Sequence, residues 1–315
     1  MGDDTATSFP ELKALARRVG RLHLRQRLGI EGEAPVFGPG RTWFHPEHSP
    51  LAHHLLLGAL RLLGVYGWGR RNAWDIRVNR NSVTLPGLPR SLDGLRLLHL
   101  TDLHLDSHPG FPEVLAAAVA PLEYDLCVFT GDYRYRTFGP MEPALSGMEA
   151  VLGAIKGPTY AVLGNHDSLH MVPALERLGV RVLLNESEEV QPGLYLAGVD
   201  DPHYFRADNL EKACESLPEE AASVLLCHSP ELYRQAAHCG LGLMLCGHTH
   251  GGQICLPGGW PLFTNADCPR PLARGGAWRH AGLQGYTSLG AGCSVLDVRF
   301  NCPPEVVIHA LRSPD

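Results

Sequence analysis

The sequence predicts an α/β domain preceded by a helical N-terminal extension. Three observations carry this. From residue 75 onward, short apolar runs recur, each closing on polar residues, as buried strands do. Helix-like stretches at 112–122, 142–155 and 171–178 separate the earlier runs, and that alternation marks α/β architecture. Charge also changes sign along the chain: residues 1–71 carry +4 and residues 72–315 carry −10, which divides an extension from a domain.

A chain of 315 residues is long enough for one large domain with a small extension. Its net charge of −6 argues against nucleic-acid binding, which needs a basic footprint, and none is expected. The nine cysteines include no CxxC pair, and several sit in apolar runs, so buried, reduced thiols are expected. The opening "MGDDTATSFP" is acidic and lacks an apolar core of the secretory type. The expected location is the cytoplasm, with the inner membrane face as a peripheral station.

In order along the chain, residues 11–29 read as one helix, with Leu12, Leu15, Val19 and Leu22 at helical spacing. Lys13, Arg17, Arg18, Arg21 and Arg25 surround them, as on a helix lying against an anionic membrane. Residues 29–50 are rich in Gly and Pro and read as loop. Residues 51–71 approach the length of a membrane span, but His53, His54 and Arg61 interrupt them. Three readings of this stretch stay open: a span, a membrane-touching helix, or a helix packed on the protein as lid or buttress. The partner expectation is peripheral membrane contact through residues 11–29 and 51–68. "WDIRVNRNSVTLPGL" alternates around Asn79–Asn81 and reads as a hairpin.

The strand ends carry the chemistry. "LRLLHLTD", "LCVFTGD", "TYAVLGNHD", "SVLLCHSP" and "LGLMLCGHTH" present Asp102 and His104, Asp132, Asn165 with His166 and Asp167, His228, and His248 with His250. Ligand sites form at the carboxyl ends of strands in such folds. One such polar residue is commonly a turn former or a hydrogen-bonded structural group; five in one chain point to a site. Imidazole and carboxylate without thiolate suit Mn, Fe, Zn and similar divalent ions. Asp-x-His and His-x-His in extended backbone would put both side chains on one face. Even seven of these nine residues as ligands exceed one tetrahedral ion. They fit two ions about 3.5–4 Å apart with a bridging carboxylate, the arrangement used for phosphoryl hydrolysis. Gly131, Gly164, Gly247, Gly251 and Gly252 flank these ligands and permit close backbone approach.

The ordered set D-x-H, G-D, G-N-H-D, H and G-H-x-H resembles the calcineurin-like metallophosphoesterase superfamily. "GHTHGGQ" and "RFNCPPEVVIHAL" are similar to a bacterial branch whose members are often membrane-associated phosphodiesterases. The resemblance spans about residues 75–312. It implies two mixed β-sheets packed face to face and flanked by helices, a four-layer αββα fold. It implies Asp102, His104 and His250 on one ion, Asn165, His228 and His248 on the other, and Asp132 between them. His166 would contact the substrate rather than a metal, protonating the leaving oxygen or stabilising the transition state.

Two departures from the pattern stand out. Where relatives carry a second Asp in G-D-x-x-D, this chain has Tyr135, so His166 must be oriented by another group; Asp167 and the Tyr135 hydroxyl are the candidates. Where relatives often read "SRGLG", this chain reads "SLGAG", and Arg134 or Arg136 is the candidate replacement for the arginine lost at Leu289. Asp106, His108 and His170 lie near ligands in sequence and are candidates to line the cleft. The expected activity is dinuclear, metal-dependent phosphodiester hydrolysis, on a lipid-linked or nucleotide–lipid substrate in its narrowest form. Phosphomonoester hydrolysis and a non-catalytic metal-binding scaffold are the alternatives.

Overall fold

Two six-stranded sheets lie face to face with helices outside both, in a computed structural model that describes residues 8–33 and 50–314. The chain opens with α1 (Phe9–Val19), α2 (Arg21–Gly32), α3 (Pro50–Leu62) and α4 (Tyr66–Ala73). Next come β1 (Arg77–Thr84), β2 (Arg96–Leu100), α5 (Phe111–Val119), β3 (Leu126–Phe129), α6 (Glu142–Leu152), β4 (Thr159–Ala161), α7 (Val172–Arg177) and β5 (Val180–Val182). The second half runs β6 (Glu186–Gln191), β7 (Leu194–Gly198), α8 (Leu210–Cys214), β8 (Ala222–Leu226), α9 (Tyr233–His238) and β9 (Leu243–Cys246). A small hairpin follows, β10 (Cys255–Leu256) and β11 (Trp260–Pro261), and then α10 (Arg270–Ala273), β12 (Gly276–His280), β13 (Leu283–Thr287) and β14 (Glu305–Arg312).

The first sheet has the order β1-β14-β2-β3-β4-β5 and the second β12-β13-β9-β8-β7-β6. Both are mixed: β2 to β5 are parallel, as are β7, β8, β9 and β13, while β14 runs antiparallel to β2 and β6 to β7. The period of two sorts the side chains. Leu97 and Val128 meet Leu196, Val224 and Leu245 between the sheets. Leu98, Leu100 and Phe129 face outward onto α5, α6 and α7, and Leu225 and Met244 face α8, α9 and α10. The four layers are those implied by the resemblance. α5, α6 and α7 each carry a proline in the first turn, where its missing N–H costs nothing.

The structure corrects some readings of local structure and refines others. Residues 11–29 form two helices, because Gly20 at φ 90° breaks the ladder. The second helix then runs to Gly32, into the stretch read as loop; the rest of that spacer, 34–49, lies outside the described residues. Residues 77–84 form one strand, not a hairpin. β1 pairs in parallel with β14, and Asn79 and Asn81 hydrogen-bond Glu305 and His309 of that strand. Residues 51–71 break at Gly64 (φ 70°) into α3 and α4, and among the described residues no helix is long and apolar enough to cross a membrane. The division at residue 71 falls inside α4.

The extension is welded to the domain. Leu15, Val19 and Leu24 are buried in the same cluster as Leu175 of α7, and Leu60 packs with Val298 and Phe300. Each such side chain contributes about 1.5–3 kcal/mol through burial. Arg18 pairs with Glu176 and Glu186, so part of the basic charge is spent on the domain rather than on an outside partner.

Candidate metal centre

Loops after β2, β3 and β4 of one sheet meet loops after β8 and β9 of the other at a common edge, and the polar strand ends converge there. Two buried clusters form: Asp102, His104 and His250, and Asp132, His228 and His248, with the ligand atoms of each cluster within 4.8 Å of one another. Asn165 joins the second, its Oδ1 2.9 Å from His228 Nε2. Asp132 Oδ2 lies 3.3 Å from His228 Nε2 and 3.9 Å from His104 Nε2, so one carboxylate faces both clusters.

The backbone that achieves this is not extended, which corrects the same-face argument for Asp-x-His and His-x-His. Asp102, His104, Asp132, His248 and His250 all have φ between 45° and 69°. Left-handed backbone at a non-glycine residue is strained and persists only where the surroundings impose it. Each turn re-aims its side chain, which is how His248 and His250 come to face different clusters. Gly247 must be glycine, because a Cβ there would lie 2.2 Å from Asp102 Oδ2.

Partners behind the imidazoles set which nitrogen faces inward. His104 Nδ1 donates to the Arg134 carbonyl at 2.6 Å, and His228 Nδ1 to the Thr130 carbonyl at 2.8 Å, so Nε2 of each faces the centre. His248 Nε2 donates to the Asn265 carbonyl at 2.6 Å and leaves Nδ1. His104 Nε2 and His250 Nε2 face each other at 3.2 Å. Burial, and then the neighbouring imidazole, hold His248 and His250 well below the usual histidine range. Burial opposes charge on Asp132 as well, but His228 and His166 outweigh it and hold the carboxyl well below its ordinary range. Against its own burial, His228 is pushed up to about 10 by Asp132. Imidazole nitrogens gathered with carboxylates in two buried clusters form a donor set that fits divalent cations.

His166 is buried beside the centre, with Nε2 3.8 Å from Asp132 Oδ2 and Nδ1 3.3 Å from the Thr137 hydroxyl. Neither candidate orienter is free for that task. The Asp167 carboxylate accepts from the backbone N–H of Asp132, Tyr133 and Gly164 at 2.7–2.9 Å and so ties the Asp132 loop to the Asn165 loop. The Tyr135 hydroxyl donates to the Val295 carbonyl at 2.6 Å. Arg134 is buried and donates to the carbonyls of Thr137 and Gly139, while Arg136 is exposed. The Leu289 side chain fills the space beside Gly251 and Gly275. Asp106 accepts from the Tyr135 N–H at 2.6 Å, His108 contacts Arg70 of the extension and Trp74 just after it, and His170 is half-buried after Ser168.

Further polar groups escaped the sequence reading. Fully buried Arg299 donates to the carbonyls of Leu289, Gly290 and Gly292 and lies 3.2 Å from His250 Nδ1. His203 stands over His248 with ring centroids 4.1 Å apart, and its Nδ1 lies 3.0 Å from Glu231. Asp201 builds the turn that holds it, accepting from the N–H of His203, Tyr204 and Phe205. The signal for His203 was "LYLAGVDD", a further strand ending in polar residues. Cys227 and Cys246 lie in the outer cluster against α8 to α10, and burial pushes both thiols up; Cys239 is exposed.

Residues 95–252 match the family model described as calcineurin-like phosphoesterase. The metallophosphoesterase YkoQ of Bacillus subtilis (strain 168) is 30% identical over 76% of this chain and 92% of its own length. YkuE, a metallophosphoesterase of the same organism, is 26% identical over 82% of this chain and 94% of its own. The phosphodiesterase YaeI of Escherichia coli (strain K12) is 28% identical over 69% of this chain and 82% of its own.

Proposed function

The chain belongs to the calcineurin-like phosphoesterase family, and from that premise we propose that it hydrolyses phosphodiesters at a two-metal centre held by Asp102, His104, Asp132, Asn165, His228, His248 and His250. As a member it is a metal-dependent phosphoester hydrolase. The observation that carries the dinuclear reading is Asp132 Oδ2, which faces a histidine of each cluster at 3.3 and 3.9 Å. Divalent ions bound there supply Lewis-acid stabilisation of phosphoryl oxygens and acidify water enough for attack near neutral pH. Asp132 holds the clusters in register. His166, fixed by Thr137 and by its own N–H to Asp132 Oδ1 at 2.9 Å, is placed in this reading to donate a proton to the leaving oxygen. The choice of diester is supported by the phosphodiesterase among the relatives. After metal stripping and reloading with Mn, Fe or Zn, bis-p-nitrophenyl phosphate should turn over faster than p-nitrophenyl phosphate. The reverse order makes the enzyme a phosphomonoesterase.

The reading extends to a lipid-linked phosphoester met at an anionic membrane surface. Its support is the outward face of α1 and α2, where Lys13, Arg17, Arg21 and Arg25 are exposed around Leu22, 72% exposed, and the exposed Leu55, Leu62 and Leu63 at and just beyond α3. Deleting the extension is a poor test, since it would strip Leu15, Val19 and Leu24 from the core. Replacing the four exposed basic residues by Gln is the better one. The wild type should co-sediment with phosphatidylglycerol vesicles and the variant should not; equal sedimentation counts against membrane contact.

A further inference from the structure

We propose that Arg27 and Glu31 of α2 form a clamp that positions His166, so that the N-terminal extension is a working part of the active site. Arg27 is fully buried, although it lies outside the residues matched by the family model. Its NH2 donates to the Asp167 carbonyl at 2.9 Å, one residue past His166. Its Nε lies 3.4 Å from Asp200, and its guanidinium lies 3.2 Å from the centroid of the Phe205 ring. Arg27 therefore staples the loop after β4, which carries Asn165 and His166, to the loop after β7, which carries His203. The two loops belong to different sheets.

Glu31, one turn on, pairs with Arg27 at 2.5 Å. Its carboxylate accepts from the Leu169 N–H at 2.9 Å and from the Ser168 hydroxyl. Three consecutive residues after His166 are thus held by one turn of α2. From the other side the same loop is fixed by the His166 N–H on Asp132 and the Asp167 carboxylate on the Asp132 N–H. The ring of His166 sits between these two anchors. The helix itself is held by Leu24 in the core and by His23 on Asp200 at 3.0 Å. A planar guanidinium serves Asp167, Asp200 and Glu31 at once, which a lysine ammonium at the same depth does not.

The clamp rests on the proposed role of His166, and the test separates the two. Arg27→Lys, which keeps the charge, and Glu31→Ala, at a more accessible site, are made in the full chain with and without His166→Asn. Turnover of bis-p-nitrophenyl phosphate and metal per chain are measured for each. The clamp predicts a fall in kcat of about 10-fold or more, a KM within about 2-fold, and unchanged metal content, because a displacement of the order of an ångström costs that much turnover. On top of His166→Asn, the same changes should cost less than about 2-fold. The clamp is overturned if either single variant keeps wild-type kcat, if kcat falls in proportion to lost metal, or if the loss is as large without His166 as with it. Wild-type turnover in His166→Asn alone would instead overturn the role of His166 on which the clamp depends.

Discussion

At the scale of single residues, the centre is bought with backbone strain. Five of its acidic and imidazole residues sit at positive φ, a region each would avoid in a free peptide. What imposes it is the set of bonds behind them: Arg134, Thr130 and Asn265 carbonyls on three imidazoles, and Asp167 across two loops. Asp132 faces both clusters, and Asp132→Asn removes the negative charge it presents to them. The expected outcome is loss of bound metal together with turnover, read by elemental analysis and the diester assay on one sample. The motif residues were legible because each follows a buried apolar run. Their partners were not, because Arg134, Thr130 and Asn265 act through backbone carbonyls, which no side-chain pattern reveals.

At the scale of elements, α2 is the helix whose sequence and role diverge most. Read alone, residues 11–29 are basic and amphipathic, and that pattern suits a membrane surface. The structure divides the face: Arg18 and Arg27 turn inward to carboxylates, and Lys13, Arg17, Arg21 and Arg25 stay outside. Burial pushes the Asp200 carboxyl up, but Arg27 and His23 outweigh it and hold the group below its ordinary value. A lowered folded pKa stabilises the fold above the unfolded value, near about 4, and the gain is lost as pH falls through the folded value. Asp200→Asn should therefore cost about 3 kcal/mol at pH 7, because it breaks a buried pair. By pH 3 the gap to wild type should shrink, as measured by urea denaturation; a gap independent of pH would mean that the ionised pair is not what stabilises α2. The misread hairpin has a similar origin. Asn79 and Asn81 look like turn residues, yet they are the partners of Glu305 and His309 on a strand more than 220 positions away.

At the scale of the whole molecule, two sheets supply one site, and neither is complete without the other. Asp102, His104, Asp132 and Asn165 follow strands of the first sheet; His228, His248 and His250 follow strands of the second. The α/β character and the polar strand ends could be read from the sequence because alternation and strand-end chemistry are local signals that recur in order, whereas the four layers came from the family resemblance. How the extension joins them could not, since Arg27 meets residues 140 and 173 positions away. The central claim is that Asp132 faces two ions at once. Turnover should be followed while metal-free protein is titrated with Mn. Activity that rises to its maximum at two equivalents per chain, and is absent at every loading in Asp132→Asn, is the predicted result. Full activity at one equivalent, or an active Asp132→Asn, would contradict it.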